Sequence, residues 1–131
     1  MVGDPISNMI ISIKNASMVN KETTSIPYSK MKEAILEALV RRKFIESFEV
    51  KGDTPATKKL VVTLKYVKNE SVITDLKRQS KFSRRIYKGF QDIHRVKSGH
   101  GAAIITSPAG IITDDEARKR NVGGELLFTI W

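Results

Sequence analysis

Apolar residues recur along this chain in two rhythms, one at helical spacing and one at every second position, and the two alternate from the N-terminus onward. Ile6, Met9, Ile10 and Ile13 share one helical face, which predicts an amphipathic helix near the start. Asp4 is placed to cap it, and Pro5 suits its first position, where no N–H donor is needed and φ is already set. Residues 23–27 are rich in β-branched side chains and predict a strand. Ser29 then caps a second helix over residues 30–42, with Met31, Ile35, Ala38 and Leu39 on its inner face. Residues 44–50 and 59–66 predict an antiparallel hairpin around Gly52-Asp53-Thr54-Pro55, the second strand alternating Leu60, Val62, Leu64 and Tyr66.

The densest pattern runs from Gly99 to Trp131. Residues 102–105 are short and apolar, as a buried strand would be, and Thr106-Ser107-Pro108-Ala109-Gly110 supplies small hydroxyls and turn formers where that strand must stop. Thr113 and Glu116 have capping-box spacing, and Asp114 and Asp115 suit the positive end of a helix. That helix is expected to end within residues 121–124 on a left-handed or otherwise strained backbone. Leu126, Phe128 and Ile130 then alternate on one face of a final half-buried strand. The expected order is strand, polar loop, helix, strand.

These elements predict an α+β protein of two small, closely associated α/β subdomains. Residues 1–68 would hold two helices and a three-stranded sheet, and residues 69–131 would be mostly β with one short helix. The boundary falls near residues 66–70, where the intervening stretch is too short to be a linker between independent modules.

Charge narrows the function. Lys and Arg number 23 against 14 Asp and Glu, a net charge of +9, which favours a polyanionic partner through phosphate neutralisation and counterion release. Eight of those cations lie between Lys77 and Lys97, against the single acid Asp92. Phe82 and Tyr87 lie inside the run, where aromatic faces can stack on bases or riboses, so this stretch is the leading candidate for nucleic-acid contact. No apolar run approaches the roughly 20 residues of a membrane span, so no membrane partner is expected. Cysteine is absent, which excludes disulfides, thiolate metal sites and a Cys nucleophile. Met-Val-Gly-Asp-Pro at the start has neither signal-peptide nor transit-peptide character, so the expected compartment is the cytoplasm.

Catalysis finds little support. A metal-dependent nuclease would recruit His94 or His100 with Ser107, Asp114, Asp115 and Glu116, yet those acids are consecutive in one helical turn and point in different directions. Ser107 lacks a nucleophile elbow, and Gly99-x-Gly101 lacks the third glycine of a dinucleotide fingerprint. No enzyme activity, cofactor or metal is expected. A DNA-binding regulator shares the charge signal, but no two-helix reader, zinc spacing or basic-region heptad is present. Charge alone does not separate that reading from RNA binding.

The motifs do. Gly99-x-Gly101, Thr106-Ser107, Thr113-Asp114, Ala117-Arg118 and Gly123-Gly124-Glu125 stand in the order and spacing of the C-terminal signature of the bacterial small-subunit ribosomal protein eight family, which this chain resembles. The resemblance extends to the opening helix, to Ile26-Pro27-x-Ser29-Lys30, and to Arg85, Tyr87 and Lys88. The chain departs from the family pattern at Ser12, which replaces a basic residue, at Lys43, which replaces glycine, and at Phe82-Ser83, which replace Pro-Gly. Pro108 likewise stands where the family carries a third hydroxyl.

The resemblance implies a non-catalytic constituent of the small ribosomal subunit in the cytoplasm. It would bind the central domain of small-subunit ribosomal RNA, help order a helical junction and touch neighbouring proteins such as protein five. It would also be able to repress its own messenger RNA. On this reading, affinity and selectivity divide: Lys30, Arg84, Arg85 and Lys88 would neutralise phosphates. Thr106, Ser107 and the backbone at Ala109 and Gly110 would meet a distorted minor groove, Tyr87 would pack on sugar or base, and Glu125 would orient the loop or a neighbouring donor.

Overall fold

The structure, a computed structural model, describes residues 5–81 and 83–131 and divides into two compact units, residues 1–73 and 74–131. The expected Asp4 cap and the aromatic Phe82 lie outside the described residues. In the first unit α1 (Pro5–Met18), β1 (Thr23–Pro27), α2 (Lys30–Arg41), β2 (Ile45–Lys51) and β3 (Lys59–Leu64) follow in order. The strands form an antiparallel sheet in the order β1-β3-β2. Ile6, Met9, Ile10 and Ile13 of α1 are buried, as their spacing requires, together with Leu60, Val62 and Leu64, the alternate residues of β3.

Helix α2 starts where Ser29, in extended conformation, accepts a hydrogen bond from the Lys32 N–H at 3.1 Å. Its inner face is rotated from the expected one: Leu36 is fully buried, whereas Met31 is 39% exposed. The helix ends in a Schellman arrangement, with the Phe44 N–H on the Leu39 carbonyl at 2.9 Å and the Lys43 N–H on that of Val40 at 3.0 Å. Lys43 therefore takes the left-handed backbone, φ +63°, that glycine would take more cheaply. A short hairpin, β4 (Tyr66–Val67) with β5 (Glu70–Ser71), turns through Lys68 and Asn69, both at positive φ as a two-residue primed turn demands.

The second unit is mostly sheet. It contains β6 (Leu76–Arg78), β7 (Tyr87–Lys88), β8 (Ala102–Ser107), β9 (Gly110–Thr113), α3 (Asp114–Arg120) and β10 (Gly124–Ile130). The sheet runs β6-β10-β8-β9, and β7 shares with β6 the edge of β10 opposite β8. The expected polar loop is thus the tip of a hairpin whose second strand, β9, pairs Ile112 with Ile105.

A bulge at Leu127 corrects the expected single face of β10: the register passes from Leu126↔Ile105 to Phe128↔Ile104. Leu126 consequently packs with Ile93, Ile105, Ile112 and Ala117 beneath α3. Leu127, Phe128 and Ile130 are fully buried. Helix α3 has the capping box that its sequence predicts, with Thr113 Oγ1 accepting from the Glu116 N–H and Glu116 accepting from the Thr113 N–H at 3.0 Å. Asn121 closes it in the left-handed region at φ 55°.

Candidate nucleic-acid interface

The middle of the basic run, with Lys81, Arg84 and Arg85, forms an excursion from the sheet edge between β6 and β7. Lys81 and Arg84 pair backbone to backbone, N–H to carbonyl at 2.8 and 3.1 Å, so the segment is pinched into a tight turn. Its two feet meet one carboxylate. Glu125 is 9% exposed, and its Oε2 accepts hydrogen bonds from Ser80 Oγ at 2.5 Å and from Arg85 Nη1 at 3.0 Å. Ser80, itself fully buried, accepts in turn from the Ile86 N–H at 3.0 Å, and the Ile86 carbonyl accepts from the Leu126 N–H at 2.8 Å.

Burial pushes the Glu125 carboxyl upward, but hydrogen bonds from Ser80 and Arg85, with the charges of Arg85 and Arg78, outweigh it and hold the group below the usual glutamate value. Arg78 is anchored separately, its guanidinium donating to the carbonyl of the bulged Leu127. Sequence reasoning passed over Ser80, whose partners lie 45 residues away and just before the next strand.

On the other side of β10, the β8–β9 hairpin turns through Pro108 and Ala109. Ser107 Oγ donates to the Gly110 carbonyl at 2.9 Å and accepts from the Ala109 N–H at 3.1 Å. Its hydroxyl therefore builds the turn, keeping one lone pair for a partner. Pro108 contributes no N–H, and Gly110, at φ +106°, closes the hairpin in a conformation that disfavours side chains. Ala109 and Gly110 are both exposed at the tip.

Register brings the two halves together. Glu125 pairs with Tyr87 on one side and with Thr106 on the other, so Tyr87, Glu125 and Thr106 stand in one row across three strands, on one face of the sheet. Tyr87 is 70% exposed. Among the described residues, neither the Tyr87 nor the Thr106 hydroxyl has a hydrogen-bond partner.

Close approach at this row depends on the two preceding glycines. A Cβ on Gly123 would lie 2.2 Å from the Lys88 carbonyl oxygen, and one on Gly124 would lie 2.1 Å from that of Thr106. The doublet is what lets β7 and β8 both close on the start of β10. Alternation along β7 turns Lys88 to the opposite face, where it lines a depression with Ala103 and Leu126. Arg84 is exposed on the turn, and Lys30 is the exposed first residue of α2 in the other unit.

The acids that a nuclease would need are engaged in structure. Asp114, 1% exposed, accepts from the Ala103 N–H at 3.1 Å and from Arg118 at 2.9 Å. Arg118 also donates to Asp115 at 2.6 Å and to the Ile93 carbonyl at 3.3 Å, tying α3 to the segment before β8. Among the described residues, no three His, Cys, Asp or Glu side chains converge so as to hold a metal ion. No described helix is long and apolar enough to cross a membrane.

Comparison with known proteins places this arrangement. The family profile described as "Ribosomal protein S8" matches residues 4–131. The small ribosomal subunit protein uS8 of Dictyoglomus thermophilum is 49% identical over 130 residues, covering 99% of this chain and 98% of that protein. The uS8 of Mycoplasmopsis synoviae is 44% identical over 128 residues, 98% of this chain and 97% of the relative. The uS8c of Tetradesmus obliquus is 46% identical over 139 residues and is covered from end to end. Matched over nearly its whole length, with the glycine doublet, the capping box and Glu125 forming one continuous structural unit, the chain belongs to the ribosomal protein S8 family, whose members are structural proteins of the small ribosomal subunit and not enzymes.

Proposed function

We propose that this small-subunit protein binds the central domain of small-subunit ribosomal RNA directly, chiefly through its C-terminal unit, and helps order a helical junction there. The observation that carries this reading is the row Tyr87–Glu125–Thr106, which presents two unspent hydroxyls and an exposed ring on one sheet face. The two outer positions are about 10 Å apart, twice the inter-strand spacing. The wide, shallow minor groove of A-form RNA, lined with 2′-hydroxyls, accepts such a face, and Tyr87 supplies a stacking surface beside it. Thr106, Ser107 and the exposed backbone at Ala109 and Gly110 make the selective contacts. Arg84 and Arg85 neutralise phosphates beside that face, and Lys88, on the other face of the same edge strand, and Lys30 neutralise others.

An RNA segment of like shape in the protein's own messenger would meet the same surface, which would make the protein a repressor of its own translation. Neighbouring small-subunit proteins, protein five among them, would meet the N-terminal unit, where Ile11, Met18 and Val19 are exposed by 52, 70 and 66%.

Substitutions separate selectivity from affinity. Thr106→Val removes a hydroxyl without removing its volume and should lower affinity for a junction RNA about tenfold while sparing a scrambled RNA of equal length. Lys88→Ala should weaken both RNAs alike and reduce the salt slope by about one. Equal loss on both RNAs from Thr106→Val would overturn the assignment of selectivity to this face.

A further inference from the structure

We infer that Glu125 is a positioning residue: its buried carboxylate fastens both feet of the basic turn between Ser80 and Ile86 and so shapes that turn for RNA. The inference rests on the proposed RNA reading and adds to it a role for a negative charge set inside a cationic surface.

Three observations carry it. Glu125 Oε2 receives Ser80 Oγ, on the entering foot, and Arg85 Nη1, on the leaving one, so a single oxygen bridges the two ends of the excursion. Ser80 relays the contact to the Ile86 N–H, which fixes the backbone where the chain re-enters the sheet before Tyr87. The Glu125 side chain is only 11% exposed, whereas the Arg85 side chain it holds is 43% exposed. The carboxylate is thus hidden while its partner's guanidinium remains within reach of a phosphate.

The alternative is that Glu125 is merely an acid near the interface. Electrostatics alone would then make its removal favourable, because a negative charge beside a polyanion is repelled and its loss strengthens binding to every RNA. The clamp predicts the opposite sign for the cognate RNA, since freeing Arg85 and the turn disperses the donors that selectivity requires.

Glu125→Gln, which removes the charge with little change of shape, and Ser80→Ala, which removes the relay without altering any charge, test this together. The first readout needs no RNA. Trypsin should cleave after Lys81, Arg84 and Arg85 about tenfold faster in both variants than in the wild type, with other bonds unaffected, because only this segment opens. The second is the ratio of affinities for junction and scrambled RNA. It should fall about tenfold in each variant, and the double variant should fall no further than Glu125→Gln alone, as for residues acting in one unit.

Unchanged local cleavage, or an undiminished junction preference in Ser80→Ala, would overturn the inference. So would tighter binding of Glu125→Gln to both RNAs with the ratio kept. If Glu125→Gln does not fold, Ser80→Ala decides by itself. A wild-type protein without junction preference overturns the RNA reading itself, and the clamp's role in it, even where the cleavage pattern shows that the clamp exists.

Discussion

Gly124→Ala probes whether the site depends on close strand approach. The new Cβ would fall 2.1 Å from the Thr106 carbonyl oxygen, 2.9 Å from its carbon and 3.1 Å from Ile105 Cγ2. The first two atoms are backbone, fixed in the β8–β10 ladder, so relief requires β10 to withdraw from β8 by about an ångström at the Glu125↔Thr106 pair. Overpacking of this kind costs about 1–3 kcal/mol, and the rigidity of the opposing atoms puts this case toward the upper end.

The single tryptophan, Trp131, lies in the same unit, so urea unfolding followed by its fluorescence reports on the perturbed sheet. With a urea slope of about 1.5 kcal/mol/M, a loss of about 2.5 kcal/mol lowers the midpoint by roughly 1.7 M. Gly89→Ala is the control: nothing lies within 4 Å of its added Cβ, so it should stay within about 0.5 kcal/mol of wild type. A Gly124→Ala protein as stable as the control would refute the reasoning.

Other substitutions extend the account. Asp114→Ala strips the buried Ala103 N–H and Arg118 of an acceptor and should cost about 2–4 kcal/mol, which urea titration would reveal. Ser107→Ala loses both turn hydrogen bonds and should cost about 1 kcal/mol, whereas Thr106→Val, whose hydroxyl bonds no described residue, should stay within about 0.5 kcal/mol in thermal melts. Because the carboxyl of Glu125 titrates lower in the folded protein than its ordinary value of 4.5, the unfolded chain takes up a proton first as pH falls. The stability that wild type holds over Glu125→Gln should therefore be complete above that value and shrink below it, as denaturant titrations from about pH 7 to about pH 3 would show.

What the sequence made legible is local. Ser29, the Thr113–Glu116 box and Asn121 mark helix ends through hydrogen bonds spanning a few residues, and all three act as their identities require. The alternation of Leu60, Val62 and Leu64 likewise specifies a strand with one buried face. Features set by distant partners were hidden. Ile111 and Ile112 announce no strand of their own, because β9 exists only by pairing with β8. The bulge at Leu127 reverses which residues of β10 face α3, and nothing in the period-two pattern announces an inserted residue. Met31 and Leu36 exchanged places because either fits a helical stripe and only the neighbouring sheet decides.

In the candidate site, residues 121–124 were legible as a helix end, which Asn121 supplies, whereas the close approach of Gly123 and Gly124 to the Lys88 and Thr106 carbonyls depends on strands distant in sequence. The tie from Ser80 and Arg85 to Glu125 crosses 40 residues or more, and so was out of reach of local reading.

The most direct test of the central claim is the affinity of the wild-type protein for a junction fragment of small-subunit ribosomal RNA, beside a scrambled RNA and a DNA duplex of equal length, at two salt concentrations. A preference for the junction that persists at the higher salt is the predicted result, because the hydroxyls and ring of the Tyr87–Thr106 face add contacts that salt does not screen. Equal binding to all three, vanishing together as salt rises, would contradict the account and leave only a basic surface.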